Sequence, residues 1–342
     1  MIIKSGIIYF VREKQADGGL SDLVKIGLVE GNRDPWERLS EHQTGNPRRL
    51  IFDEEQFVET PAVKFVERLL HREFAKHRVS GEWFDFSSKE LLHSAISKAR
   101  GLAQTMSPMV PMLEEANRLN DVVSNGEVLP YDESLRGYFE DLMIVKKKTS
   151  LMEALKKDIK RHFKEYVASE GIEAIKDLAV ENIVHTPAGF DIDEFIAKEP
   201  DLYSACLIEI TDWPKPRPGF RLKAKADESE LDKEFREMYS EFQDIYSSGV
   251  SSNDLYKLND LAVELKRAQS LIEWDVEYNT SRIKVACGVF DGIENICSWK
   301  RQVVTRTEFS KDKLIELNKE VYARYLVPQE PTKQLRMIGY KA

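Results

Sequence analysis

At 342 residues, 42% hydrophobic and 32% charged, the chain is long enough for two or three domains and too apolar to be disordered by composition. It has no apolar run of about 18 residues, which excludes a membrane-spanning helix. The net charge is −9, yet residues 1–105 balance 16 Lys and Arg against 16 Asp and Glu, so the acidity lies in the remaining chain and argues against tight non-specific DNA binding there.

In chain order, residues 5–12 (Ser-Gly-Ile-Ile-Tyr-Phe-Val-Arg) are β-branched and aromatic and predict a strand. Asp17, Gly18, Gly19 and Asp22 predict a hairpin loop, and residues 23–29 the returning strand. Pro35 suits the first turn of a helix carrying Trp36 and Leu39, which Gly45-Asn46-Pro47 stops. Residues 49–58 predict a third strand. Pro61 opens a second helix with Val63, Val66, Leu69, Leu70 and Phe74 on one face. After Gly81-Glu82-Trp83-Phe84, the sequence Ser87-Ser88-Lys89-Glu90 has the form of a capping box before a third helix over 88–105.

Beyond Pro108 and Pro111 the pattern predicts a partly helical linker and a helix over 135–168. Residues 151–222 and 255–338 then show a weak repeat, with Phe190-Asp191-Ile192 and Tyr203 answering Phe309-Ser310-Lys311 and Tyr322. Alternating charges over 227–243 and 255–275 predict helices packed on one another or on a second subunit. The expected division is 1–105, a helical linker 106–150, an α+β module 151–225, and a helical hairpin with a second module 226–342. The fold class is α+β, a small mixed sheet with flanking helices leading a helical remainder.

Three cysteines, Cys206, Cys287 and Cys297, are too few and wrongly spaced for a disulfide framework or a structural zinc site. His162 and His185 lack ligand neighbours, Lys146-Lys147-Lys148 reads as a solvated patch, and Asp191, Asp193 and Glu194 read as an acidic helix start. The first residues lack a signal-peptide pattern, so a cytoplasmic setting is expected.

Six pieces stand in fixed order within residues 5–86: Gly6-Ile7-Ile8-Tyr9, Lys25-Ile26-Gly27, Arg38-Leu39-Ser40-Glu41-His42, Thr44-Gly45-Asn46-Pro47, Glu67 with His71 and Phe74, and Gly81-Glu82-Trp83-Phe84. This series resembles the GIY-YIG nuclease superfamily, especially its phage-associated branch. The resemblance implies a DNA endonuclease that uses Mg2+ or Mn2+. Tyr9 would activate or orient the water, Arg38 would stabilise the transition state, His42 would relay a proton or meet the phosphate, and Glu67 would be the single protein ligand of the metal. His71 is a companion without an assigned role. Lys25 stands where the family's second motif has tyrosine, and no clean match to the family's late asparagine follows Phe84.

The residue types suit that chemistry by themselves. Phosphodiester hydrolysis needs a water, a proton acceptor and positive charge against the phosphate. Arg38 and His42 share one helix face, as do Glu67 and His71. A tyrosine titrating near 10 is a poor base, so a cation, with Lys25 the candidate, is expected to lower it. Each residue also has a structural reading: a strand tyrosine, a solvated lysine, a solvated helix face for Arg38 and His42, a rim carboxylate paired with Lys64 or Arg68, a core histidine.

In the C-terminal half, Ser298-Trp299-Lys300, Thr307-Glu308-Phe309 and Glu320-Val321-Tyr322-Ala323-Arg324-Tyr325 loosely resemble the accessory tail of YqaJ-type phage recombination exonucleases. That resemblance implies a protein-partner, self-association or DNA-positioning role. The alternatives to cleavage are a DNA-binding protein that has lost catalysis and a protein–protein adaptor.

Overall fold

The computed structural model describes residues 3–44, 50–51, 56–175, 179–212, 220–223, 225, 227–249 and 255–337. Its first part is a six-stranded sheet of β1 (Gly6–Lys14), β2 (Leu20–Glu30), β3 (Leu50–Ile51), β4 (Phe57–Thr60), β5 (Arg78–Ser80) and β6 (Trp83–Asp85). The order is β3-β1-β2-β6-β5, with β4 also on β1. Among the described residues all its pairings are antiparallel, where a mixed sheet was expected. Hairpins make the β1–β2 and β5–β6 turns, and no helix carries the chain across to a parallel neighbour. The single strand expected over 49–58 is two, β3 and β4, both lying along β1; residues 52–55 fall outside the described residues.

Three helices cover this sheet. In α1 (Pro35–Gln43), Asp34 caps the first turn by accepting from the Trp36 amide at 2.9 Å. Helix α2 (Val63–Glu73) starts two residues after Pro61, which stays in the turn while the Val63 amide bonds to Lys4. Helix α3 (Lys89–Met106) is capped by Ser88, which accepts from the Glu90 amide. Glu90 is therefore one residue short of the capping-box position, and the expected box does not close.

Strand β1 is buried on both faces, and the two-residue period divides its side chains. Ile8 and Phe10, with Val24 and Ile26 of β2, meet the apolar faces of α2 and α3. Tyr9 and Val11 turn the other way, toward Leu39 of α1, Val29 and Leu50. Two glycines make this possible. A Cβ on Gly6 would lie 2.1 Å from the Val29 carbonyl oxygen, and one on Gly27 2.4 Å from the Tyr9 hydroxyl.

The remaining helices are α4 (Val110–Asn120), α5 (Arg136–Glu170), α6 (Ile192–Lys198), α7 (Pro200–Ala205), α8 (Lys233–Gly249), α9 (Leu255–Cys287) and α10 (Lys311–Arg324). Helix α5 runs through position 150 without a break, and α9 continues well past residue 275. Helix α8 begins later than position 227 because Asp227 and Glu230 form a capping box around a single 3-10 turn. Asp191 caps α6, with Asp193 and Glu194 in its first turn. Helix α9 is the spine: Trp274 enters the core of the N-terminal sheet, Leu258, Leu261 and Leu265 pack with α5 and α8, and Ile283 and Cys287 pack around Trp299. Arg301, 1% exposed, stacks on Trp299 and donates to the Leu119, Gly288 and Phe290 carbonyls, tying the ends of α4 and α9 together.

Among the described residues the further strands are short: β7 (Ala174–Ile175), β8 (Ala179–Val184), β9 (Gly189–Phe190), β10 (Leu207–Asp212), β11 (Arg221–Leu222), β12 (Gly292–Ile293), β13 (Cys297–Ser298), β14 (Val304–Phe309), β15 (Leu326–Val327) and β16 (Thr332–Met337). Early segments pair with late ones: β8 with β16, β9 with β15, β10 with β14 and β11 with β13. The Leu207–Phe309 pairing is mirrored by Leu326–Phe190, and Phe190 stacks on Tyr322 as Phe309 does on Tyr203. Cys206, Cys287 and Cys297 are buried free thiols.

Candidate active site

The antiparallel register of β1 and β2 sets the geometry. Tyr9 pairs with Gly27 and Val11 with Lys25, so Tyr9 and Lys25 are diagonal neighbours on one face. Without a side chain at Gly27, the Tyr9 ring lies flat across β2. Helix α1 covers this face and lowers His42 between the two. The Tyr9 hydroxyl is 3.2 Å from His42 Nε2, and Lys25 Nζ is 3.4 Å from the same nitrogen. Both neighbours are donors, so Nε2 is the acceptor and the imidazole proton sits on Nδ1. Burial, then the charges of Lys25 and Arg38, lower the His42 pKa, which favours the neutral ring at pH 7.

Tyr9 is 1% exposed. Burial and then the Glu82 charge push its pKa up to about 12, with Glu67 adding to the rise and Arg38 opposing it by charge and hydrogen bonding. The expected lowering by Lys25 is absent. Burial of the phenol is the main reason, and Lys25 is itself paired with Glu82 at 3.1 Å. Arg38 Nη1 is held by Glu41 at 2.9 Å, and Glu41 is also paired with Arg33.

Glu67 sits half-buried on α2. Burial, then the nearby Glu82 charge, push its pKa up to about 7, while Lys25, Arg78 and Lys64 pull the other way. Among the described residues, no hydrogen bond or close ion pair engages its carboxylate, neither the Lys64 nor the Arg68 pairing holding; Lys64 pairs with Glu30 and Arg68 with Glu273. Among the described residues no group of three or more His, Cys, Asp or Glu is placed to hold a metal ion by itself. A half-buried, unengaged carboxylate beside a second carboxylate fits a hard divalent cation that keeps most of its waters. His71 lies apart. Its Nε2–H donates to the Ile26 carbonyl at 2.9 Å and its ring packs 5.3 Å from Phe84, so it pins α2 to β2.

The structure thus brings Tyr9, Lys25, Arg38, His42 and Glu67 together and turns His71 into the core. Glu82, Arg78 and Glu41 are the participants that spacing did not single out. Glu82 lies within the Gly81-Glu82-Trp83-Phe84 piece, which was its one signal. Arg78, over the Phe84 ring at 5.2 Å, had none. Thr44 ends the described part of α1, so the Gly45-Asn46-Pro47 turn lies outside the described residues.

No curated protein and no solved structure matches the chain. Residues 6–98, the span that builds this site, match the model of the T5orf172 domain, a phage-associated domain related to nucleases.

Proposed function

We propose that this chain is a metal-dependent DNA endonuclease of the GIY-YIG type, cutting phosphodiester bonds with the site on β1, β2, α1 and α2. The observation that carries this reading is the convergence of Tyr9 and Lys25 on one nitrogen of a neutral His42, beside Arg38 and Glu67. In the hydrolytic step, Tyr9 takes a proton from the attacking water as it passes its own to His42 Nε2, so no free phenolate is required. Arg38 and Lys25 supply positive charge against the phosphate oxygens, Arg38 as a two-pronged donor. Glu67 would hold Mg2+ or Mn2+, which supplies Lewis-acid polarisation of the phosphate and acidifies bound water.

The second reading is a DNA-binding protein without cleavage. It is favoured by the high Tyr9 pKa and by the carboxylate partners of both Lys25 and Arg38. Incubating the full chain with supercoiled plasmid separates the two. Nicking in magnesium or manganese supports the first; a gel shift with no product in either metal favours the second.

A further inference from the structure

A feature of the same site, resting on the nuclease reading, concerns what its cations do before DNA arrives. Lys25 and Arg38 are the two positive groups placed to meet a phosphate, and each already has a carboxylate: Glu82 at 3.1 Å and Glu41 at 2.9 Å. The Lys25 side chain is 11% exposed, held inward by His42, and Arg38 is 39% exposed; the carboxylates that cover them are 48% and 51% exposed. Glu82 rides on the β5–β6 turn and Glu41 on the solvent side of α1, so both can swing away without disturbing the core. A carboxylate offers an amino or guanidinium group the same anionic oxygen pair as the non-bridging oxygens of a phosphodiester.

We propose that Glu82 and Glu41 are built-in competitors of the DNA backbone, occupying Lys25 and Arg38 in the free protein and yielding them to a phosphate positioned to reach both. This accounts for a DNA-cutting domain with no excess of basic residues over 1–105. Uncovered cations would bind any backbone that drifts past. Covered ones respond only where the remaining contacts hold DNA in place long enough for two ion pairs to exchange.

The test is binding of a labelled duplex to the full chain by fluorescence anisotropy, without divalent metal, at stepwise salt. Glu82→Gln and Glu41→Gln should each bind about two- to fivefold tighter at low salt, the worth of one exposed ion pair, and lose the gain as salt rises. Glu90→Gln, which removes a carboxylate at the start of α3, should change nothing. The gain from Glu82→Gln should vanish in a Lys25→Met background, and that from Glu41→Gln, since Glu41 also pairs with Arg33, in an Arg33→Met/Arg38→Met background. Glu82→Ser repeats the measurement with a smaller side chain, and circular dichroism checks each fold. Variants that bind no tighter than Glu90→Gln, or that keep their gain without the cation, overturn the proposal while leaving the nuclease reading standing. If neither the parent nor any variant binds DNA, the nuclease reading itself falls, and this proposal with it.

Discussion

At the scale of single residues, the site depends on an absence at Gly27. The Tyr9 phenol fills the space where a side chain on β2 would stand, and a Cβ there would meet the hydroxyl at 2.4 Å and the ring carbon bearing it at 2.5 Å. Gly27→Ala should therefore expel the Tyr9 ring from its contact with His42. We expect at least a hundredfold loss of cleavage, since a positioned proton acceptor contributes about that much. The stability cost should be modest, about 1–3 kcal/mol for overpacking. Kinetics and thermal melting together check this; near-normal cleavage would show that the Tyr9 position is not used.

Glu67 carries the second residue-scale consequence. Its folded-state pKa, raised to about 7, lies above the ordinary 4.5. Between those values this group binds more protons in the folded protein than in the unfolded chain, so its contribution to stability is greatest below about pH 4.5 and is lost as pH rises through about 7. Glu67→Gln should remove that loss and stabilise the metal-free protein at pH 8 by up to about 3 kcal/mol, with a much smaller effect, under about 1 kcal/mol, at pH 5. Magnesium competes with the same proton. Cleavage at limiting magnesium should fall as pH drops below about 7, and saturating magnesium should move the midpoint lower. A midpoint that ignores metal concentration would contradict the assignment of Glu67.

At the scale of elements, α2 depends on a helix some two hundred positions away. Phe65 packs on Trp274 with ring centroids 5.1 Å apart, Arg68 pairs with Glu273 at 2.9 Å, and Glu73 with Arg267 at 3.1 Å. Trp274 is 4% exposed and belongs to the core under the sheet. Trp274→Ala should cost about 3–5 kcal/mol, and residues 1–105 expressed alone should melt at lower temperature than the same sheet in the full chain. Equal melting temperatures would show that α9 is dispensable to it. The apolar stripe of α2 was legible because its partners on β1 and β2 repeat at helical and strand periods. The contribution of α9 was not, because one tryptophan on a long charged helix carries no mark of which distant core it enters. The same holds within the site. Tyr9, Arg38, His42 and Glu67 sit in ordered motifs on regular elements, whereas Glu82 gains its place only when the β5–β6 turn folds its carboxylate over Lys25. The direction of the Tyr9 shift is not legible either, because it is set first by the burial of the phenol under α1 and then by the Glu82 charge, and neither is visible until the sheet and helix have packed.

At the scale of the whole molecule, charge and architecture divide the labour. The N-terminal sheet is balanced in charge, and the full −9 lies beyond residue 105, on long helices and on early and late strands that pair with each other. An acidic body repels DNA that is not seated in the site, so electrostatics would confine the nucleic acid to the sheet face covered by α1. The helical spine α9 joins the opposite face of the sheet, the one covered by α2 and α3, to strands β12 and β13 by contributing to three successive cores.

If Tyr9 and Glu67 serve one phosphodiester-cutting centre, the full chain should nick supercoiled plasmid in magnesium and lose that activity on Glu67→Ala and on Tyr9→Phe, with the fold of each variant checked by circular dichroism. Undiminished nicking by either variant, or a parent that binds DNA and never cuts it in magnesium or manganese, would contradict it.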